Sequence, residues 1–206
     1  MPNWCSNSIV IRGSNQQEIA EIANAMRDGK FCDSVIPVHP DLTRDGASTS
    51  GGPNAEVYDQ IRAENRERHG YESWYDFCTS RWGTKWEVDC QDVQVEEDGL
   101  KVSCYFDSAW APPLGVAEAL VERGLEVTLY YYEPGMGFVG KYEDGFDDSY
   151  DLGGENSQTV RSAIGDELDD FFGISEQMAE YEAEEEQEEL TEWLKDGIEK
   201  RNLVAA

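Results

Sequence analysis

The chain has 206 residues, of which 39% are hydrophobic and 11% aromatic, enough for one packed core and too apolar for wholesale disorder. It contains no apolar run of about eighteen residues and no basic-then-apolar leader, so neither membrane insertion nor export is expected and a cytoplasmic location follows. The formal charge is −28, and residues 141–206 alone carry 21 acidic against 5 basic side chains, a net of −16. Such a field repels nucleic acid and anionic lipid and attracts basic proteins, so direct nucleic-acid binding over the whole surface is not expected.

The first predicted strand is Ser8-Ile9-Val10-Ile11-Arg12, a β-branched run stopped by Gly13. Ser14 or Asn15 then caps a helix carrying Ile19, Ile22, Ala23 and Met26 on one face, and Gly29 ends it. Residues 31–38 are short and apolar, with Pro37 and Pro40 marking the exit. A flexible loop is expected over 41–54, followed by a polar helix over 54–68 and a more apolar one over 71–81 with Trp74, Phe77 and Cys78. Residues 86–95 alternate as a half-buried strand does, Glu97-Asp98-Gly99 turns the chain, and 100–107 returns as the partner. Pro112 opens a helix through Val116, Ala117, Leu120 and Val121, which Gly124 closes. Residues 125–132 and 137–142 are the last strands, joined by Pro134-Gly135. The order is β–α–(inserted helices)–β–β–α–β–β. It predicts an α+β domain over 1–143: an antiparallel sheet with two helices on one face, a helical insertion at about 41–81 and an extra edge strand.

Beyond Lys141 the character changes, and 144–206 is expected to be an acidic loop and a helical extension. Residues 144–154 read as the loop. Val160, Ile164, Leu168, Phe171 and Phe172 share a helical face interrupted by Gly165, with Val160, Ile164, Leu168 and Phe172 expected to dock on the first domain. The run Glu184-Glu185-Glu186-Gln187-Glu188-Glu189 follows, and apolar spacing resumes at Leu190, Trp193, Leu194 and Ile198.

Four aromatic motifs flank these strands: Pro2-Asn3-Trp4-Cys5-Ser6-Asn7, Trp82-Gly83-Thr84-Lys85-Trp86, Phe106-Asp107-Ser108-Ala109-Trp110-Ala111-Pro112-Pro113 and Tyr132-Glu133-Pro134-Gly135-Met136-Gly137-Phe138. In this order they resemble the YubB-like family of phage and plasmid proteins over residues 1–141, and more weakly over 165–176. The resemblance implies a ferredoxin-like βαββαβ chain path, with no iron–sulfur cluster, and a mobile-element protein in a bacterial host cytoplasm. It implies no particular activity. On the residues themselves, Trp4, Asn7, Trp82, Lys85, Trp86, Asp107, Trp110 and Glu133 are expected to serve structure, the tryptophans sealing strand ends.

Catalytic chemistry leaves little trace. Cys5, Cys32, Cys78, Cys90 and Cys104 include no CxxC pair and read as reduced, packed thiols, with Cys90 and Cys104 on adjacent strands. His39 and His69 lie far from any cysteine cluster, so no metal site is expected of them. No GxSxG elbow, P-loop or GxGxxG fingerprint occurs, and no cofactor is expected. The loop from Asp144 to Asp151 lacks the EF-hand pattern and reads as solvated. Two alternatives remain: a small enzyme or nucleotide-handling domain using a cleft near Arg81, Lys85, Asp107 and Glu133, with Asp107 and Glu133 as an acid–base pair, or single-stranded nucleic acid stacked on the sheet's aromatics.

The leading reading is an acidic interaction protein that binds a basic host protein. Its contact surface would be Glu182, Glu184, Glu185, Glu186, Glu188 and Glu189. A duplex carries one charge per roughly 1.7 Å, and a helix rising about 1.5 Å per residue with acids on several faces approaches that density, as a nucleic-acid mimic inhibiting a defence or DNA-processing factor would. The competing reading is a solvated helix that only aids solubility. Oligomeric state is left open.

Overall fold

The β-branched run at Ser8 extends back to the first tryptophan, giving β1 (Trp4–Arg12), whose odd-numbered Cys5, Asn7, Ile9 and Ile11 are buried on one side. The computed structural model describes residues 3–43 and 54–204, except the side chains of Leu194 and 196–204. Most of the loop expected over 41–54, and the apolar positions Leu194 and Ile198, therefore lie outside what is described. The chain divides into two compact units, residues 1–149 and 150–206.

In the first unit β1 is followed by α1 (Gln16–Arg27), capped by the Asn15 side chain, and α2 (Phe31–Val35). A 3-10 turn (Pro40–Thr43), α3 (Ala55–His69) and α4 (Trp74–Arg81) come next. The chain then forms β2 (Gln91–Val95), β3 (Lys101–Ala109), α5 (Leu114–Glu122), β4 (Glu126–Glu133), β5 (Phe138–Glu143) and β6 (Phe146–Asp151). Among the described residues these strands make one six-stranded antiparallel sheet in the order β2-β3-β1-β4-β5-β6, and the protein is α+β. The apolar side of the sheet (Ile9, Ile11, Val102, Cys104, Phe106, Val127, Leu129) shares one core with Ile19, Ile22 and Met26 of α1, Phe31 of α2, and Val116 and Leu120 of α5. The opposite face carries Ser6, Ser8 and Arg12 of β1, flanked through the register by Tyr105 and Asp107 on one side and Tyr130 and Tyr132 on the other.

Two segments depart from the expected pattern, each for a local reason. Residues 86–90 do not join the sheet, because Glu87 turns to the N-terminus of α2, where its carboxylate oxygens accept from the N–H groups of Cys32 (2.7 Å) and Asp33 (2.9 Å). That helix has no cap of its own, so a distant carboxylate satisfies its free donors. The ladder between β2 and β3 also slips between Gln91 and Gln94, with Asp92 at φ +51°.

The second departure is β6. The expected acidic loop is instead the second arm of a hairpin turned by Asp144-Gly145, at φ +47° and +97°. Positive φ at both turn residues is what a tight two-residue hairpin demands, and Asp-Gly supplies it. Asp144 also accepts from the Val127 N–H (2.9 Å), and Asp147 from the Tyr131 hydroxyl (2.7 Å). The Tyr131 ring reaches Asp147 over Gly140, where a Cβ would meet the phenol oxygen at 2.2 Å.

The second unit contains α6 (Val160–Ile164), α7 (Asp166–Phe172) and α8 (Ile174–Val204), which pack on one another. Gly165, where the sequence pattern is interrupted, and Gly173, at φ +84° and +65°, divide the three helices. Arg161 holds the bend, reaching Asp166 (2.7 Å), Asp169 (3.0 Å) and Asp170 (2.7 Å). Buried Asp169 in turn accepts from the Ser175 N–H and hydroxyl, both at 2.7 Å, which caps the start of α8. Val160, Ile164, Leu168 and Ile174 are buried, and Phe172 is half-buried. No helix among the described residues is long and apolar enough to cross a membrane.

Candidate functional site

The motif tryptophans come together at one end of β1 and β3, on a frame of main-chain contacts. Trp82 is buried at the end of α4 and donates its indole N–H to the Ile36 carbonyl (2.8 Å). Gly83, at φ +90°, lets the chain pass against the Pro112 carbonyl. Buried Thr84 then exchanges hydrogen bonds with Ala109, accepting from its N–H and donating to its carbonyl, each at 3.1 Å. This lock on the end of β3 sets Lys85 and Trp86 beside Trp110, whose own N–H donates to the Asn3 carbonyl (2.9 Å). Trp110 adopts φ +70°, an unusual backbone for a bulky residue that the surrounding contacts must impose.

The outcome is an aromatic cluster with a cation at its centre. The Lys85 ammonium lies 4.5 Å from the Trp86 ring centroid, 4.9 Å from Trp110 and 5.8 Å from Tyr75. Trp4 stands 6.2 Å from Trp86, and Tyr75 meets Trp110 edge-on at 6.5 Å. Trp4, Tyr75 and Trp110 are exposed, while Lys85 and Trp86 are half-buried. Each cation–ring contact contributes about 0.5–1 kcal/mol at such exposure, so the cluster is a stiff, partly apolar surface bearing one positive charge. Tyr75 was not among the expected site residues. Its only signal is its place beside Trp74 on a helix of modest polarity.

Beneath the cluster runs a polar layer that serves the backbone. Asn7, only 3% exposed, donates to the carbonyls of Cys5 (2.6 Å) and Phe106 (3.3 Å) and to the Ser108 hydroxyl (2.9 Å). Ser108 donates onward to the Ala111 carbonyl (2.8 Å). Glu133 is buried, and its carboxylate accepts from the N–H groups of Gly135 (2.9 Å) and Met136, closing the turn after β4. Burial, with Glu133 adding to it, pushes the Cys5 thiol up to about 12.

Asp107 and Glu133 do not form the acid–base pair considered from the sequence. Ser6 pairs with both Asp107 and Tyr132, so Asp107 shares the face of Tyr132, and Glu133, the next residue, points to the other side. The Asp107 carboxylate accepts from the Ser6 hydroxyl (2.9 Å). Arg81 is exposed at the end of α4, and Lys85 faces rings. Glu133 is therefore on the opposite side of the sheet from Asp107, and the four residues, Arg81, Lys85, Asp107 and Glu133, do not all face one cleft.

The acidic helix is divided by its contacts. Glu182 accepts from the Ser157 N–H (2.8 Å) and hydroxyl (2.6 Å), which hold its carboxyl below the usual range, so it fastens the segment before α6 to α8. Glu184, Glu185, Glu186, Glu188 and Glu189 are exposed, and so is every residue of 183–193. Leu190 and Trp193 stand out among them at 57% and 71% exposure. In the first unit, the two histidines of the chain, His39 and His69, meet across Asp41, a convergence that nothing in their spacing announces.

No family model and no curated protein matches the sequence. Among solved structures, the crystal structure of protein api92 from Yersinia pseudotuberculosis, of the DUF1281 family, aligns with a TM-score of 0.36 at 13% identity, covering 73% of this chain and 98% of that one.

Proposed function

We propose that this chain is an acidic interaction protein of a phage or plasmid, whose last helix engages a basic host protein in the manner of nucleic acid, at a defence or DNA-processing factor. The observation that carries this reading is the exposure of residues 183–193 of α8 on every face. A helix with no buried side normally owes its persistence to favourable side-chain pairs. Here the pairs Glu184–Glu188, Glu185–Glu189 and Glu188–Glu192 repel instead. Six carboxylates between Glu184 and Glu192 give one charge per roughly 2.2 Å of helix axis, near the roughly 1.7 Å of a duplex. A basic surface relieves that repulsion, and Leu190 with Trp193 offers it an apolar anchor of the kind that dominates binding.

The strand order β2-β3-β1-β4, reached through β–α–β–β–α–β, supports a ferredoxin-like reading of the first unit, with β5, β6 and the α3–α4 insertion added. With the strand-flanking motifs it also supports membership in the YubB-like family. The test of function is capture from bacterial lysate at low and moderate salt, using the wild-type chain and a variant with Glu184, Glu185, Glu186, Glu188 and Glu189 changed to Gln. A basic protein retained by the wild type should associate more slowly with the variant and with a flatter salt dependence. Equal association at low salt would reduce the helix to a solubility device. A second reading, single-stranded nucleic acid on the Trp4, Trp110 and Tyr75 rings, rests on their exposure around Lys85, and absence of a gel shift at low salt would dismiss it.

A further inference from the structure

His39, Asp41 and His69 are brought together from two separately anchored segments. His39 leads into the 3-10 turn, whose Leu42 is buried and donates its N–H to the His39 carbonyl (2.9 Å). His69 is the last residue of α3, and the end of that helix is fixed by buried Asn65, which donates to the Glu72 carbonyl (2.9 Å), and by the Arg66–Glu72 ion pair. The imidazole rings stack with centroids 4.1 Å apart and planes 30° off parallel. His69 Nε2 lies 2.9 Å and His39 Nδ1 3.8 Å from the same oxygen, Asp41 Oδ2, and one ligand-capable atom from each residue falls within 4.8 Å of the others.

We propose that these three residues form a site for a divalent transition metal of the zinc class, bound by two imidazole nitrogens, one carboxylate oxygen and water. The spacing fits. Zinc–ligand bonds of about 2.0–2.1 Å at tetrahedral angles put ligand atoms roughly 3.3 Å apart, between the two separations found here. The donor set selects for the same ions, since imidazole with carboxylate suits zinc, nickel and copper, whereas magnesium and calcium take oxygen alone. His39 Nδ1 already accepts from the Asp41 N–H (3.2 Å), so it carries the lone pair that ligation needs, and a bound ion takes over that lone pair. The ion would also sit at the C-terminus of a 15-residue helix, where the macrodipole favours positive charge. Binding ties the 3-10 turn to the end of α3 and leaves one coordination position to solvent.

The test uses the full chain, stripped with chelator and titrated with Zn²⁺ alone and then Co²⁺ alone. The chain has only two histidines, so ring ¹⁵N NMR reports on this site without overlap. Both rings should shift together at one equivalent of Zn²⁺, and Co²⁺ should give the intense visible bands of a four-coordinate nitrogen–oxygen site. The bands should lack thiolate charge transfer, because all five cysteines are buried elsewhere. His39→Gln alters an exposed side chain and should fold normally, yet weaken Co²⁺ binding at least about tenfold, as should Asp41→Asn and His69→Gln. Ring signals unmoved by excess Zn²⁺, weak six-coordinate Co²⁺ bands typical of surface carboxylates, or full-strength Co²⁺ binding by H39Q would each overturn the proposal.

Discussion

Replacing Gly115 by alanine should destabilise the first unit, against what helix propensity alone dictates. Gly115 is the second residue of α5, with ordinary negative φ, and Gly→Ala inside a helix normally stabilises by up to about 1 kcal/mol. Here a Cβ would lie 2.0 Å from the Arg81 carbonyl oxygen and 3.0 Å from its carbon. Ordinary contact begins near 3.4 Å, so α5 must withdraw by about 1.4 Å from the end of α4, because a main-chain carbonyl cannot swing aside. Overpacking of this kind costs about 1–3 kcal/mol. The withdrawal also stretches the hydrogen bond from Gly115 N–H to the Trp82 carbonyl, now 3.2 Å, for about 1 kcal/mol more. The net loss is about 2 kcal/mol. With a urea dependence of about 2 kcal/mol per molar, the midpoint followed by tryptophan fluorescence should fall by about 1 M. A midpoint equal to or above wild type would refute the close approach and, with it, the frame that supports Trp82 and Lys85.

Asn7→Ala should cost about 2 kcal/mol in the same assay, since it leaves the Cys5 carbonyl and the Ser108 hydroxyl short of a buried partner. A loss under 0.5 kcal/mol, roughly the level of a neutral surface change, would contradict that arrangement. Burial pushes the Cys5 and Cys78 thiols up to about 12 and Cys32 well above its ordinary range, while hydrogen bonding to Cys104 and burial do the same for Cys90. A thiol reagent at pH 8 should therefore find none of the five reactive in the folded chain and all five after denaturation; a fast-reacting native thiol would count against the buried placement. Glu182 has a lowered folded pKa, so its contribution is present above the ordinary glutamate range and is lost as pH falls through the folded value. Glu182→Gln should accordingly lower the melting temperature of the helical unit at pH 7, with the two curves converging in acid, and parallel curves at every pH would contradict the contact with Ser157.

Much of the fold could be read from local chemistry. The β-branched run of β1, the Asn15 cap, the turn at Glu97-Asp98-Gly99 and the apolar stripe of α5 each announce their element. What escaped depends on partners remote in sequence. Nothing near Glu87 says that it caps α2 some 55 residues away, which is why 86–90 read as strand. In residues 144–151 the acidic composition masked an Asp-Gly hairpin signal that was present in the letters. The candidate surfaces divide in the same way. Glu182 and Glu184 are the same residue type two positions apart, and only the place of Ser157 makes one a fastening and leaves the other exposed. His39 and His69 are 30 residues apart with no shared periodicity, and only the anchoring of Leu42 and Asn65 brings them together.

The two outermost strands bear on how this protein can be recruited. β2 is five residues long, broken by the slip at Asp92, and β6 presents Asp147, Asp148 and Asp151 along its length. A visiting β-strand must line up its own amide groups against an unbroken, uncharged run of main chain. One rim of this sheet interrupts the run and the other repels an approaching carboxylate-bearing chain. Lengthening of the sheet by a second copy of this acidic chain is disfavoured at both rims, so crowding of the protein in a cell should not seed strand-to-strand fibres.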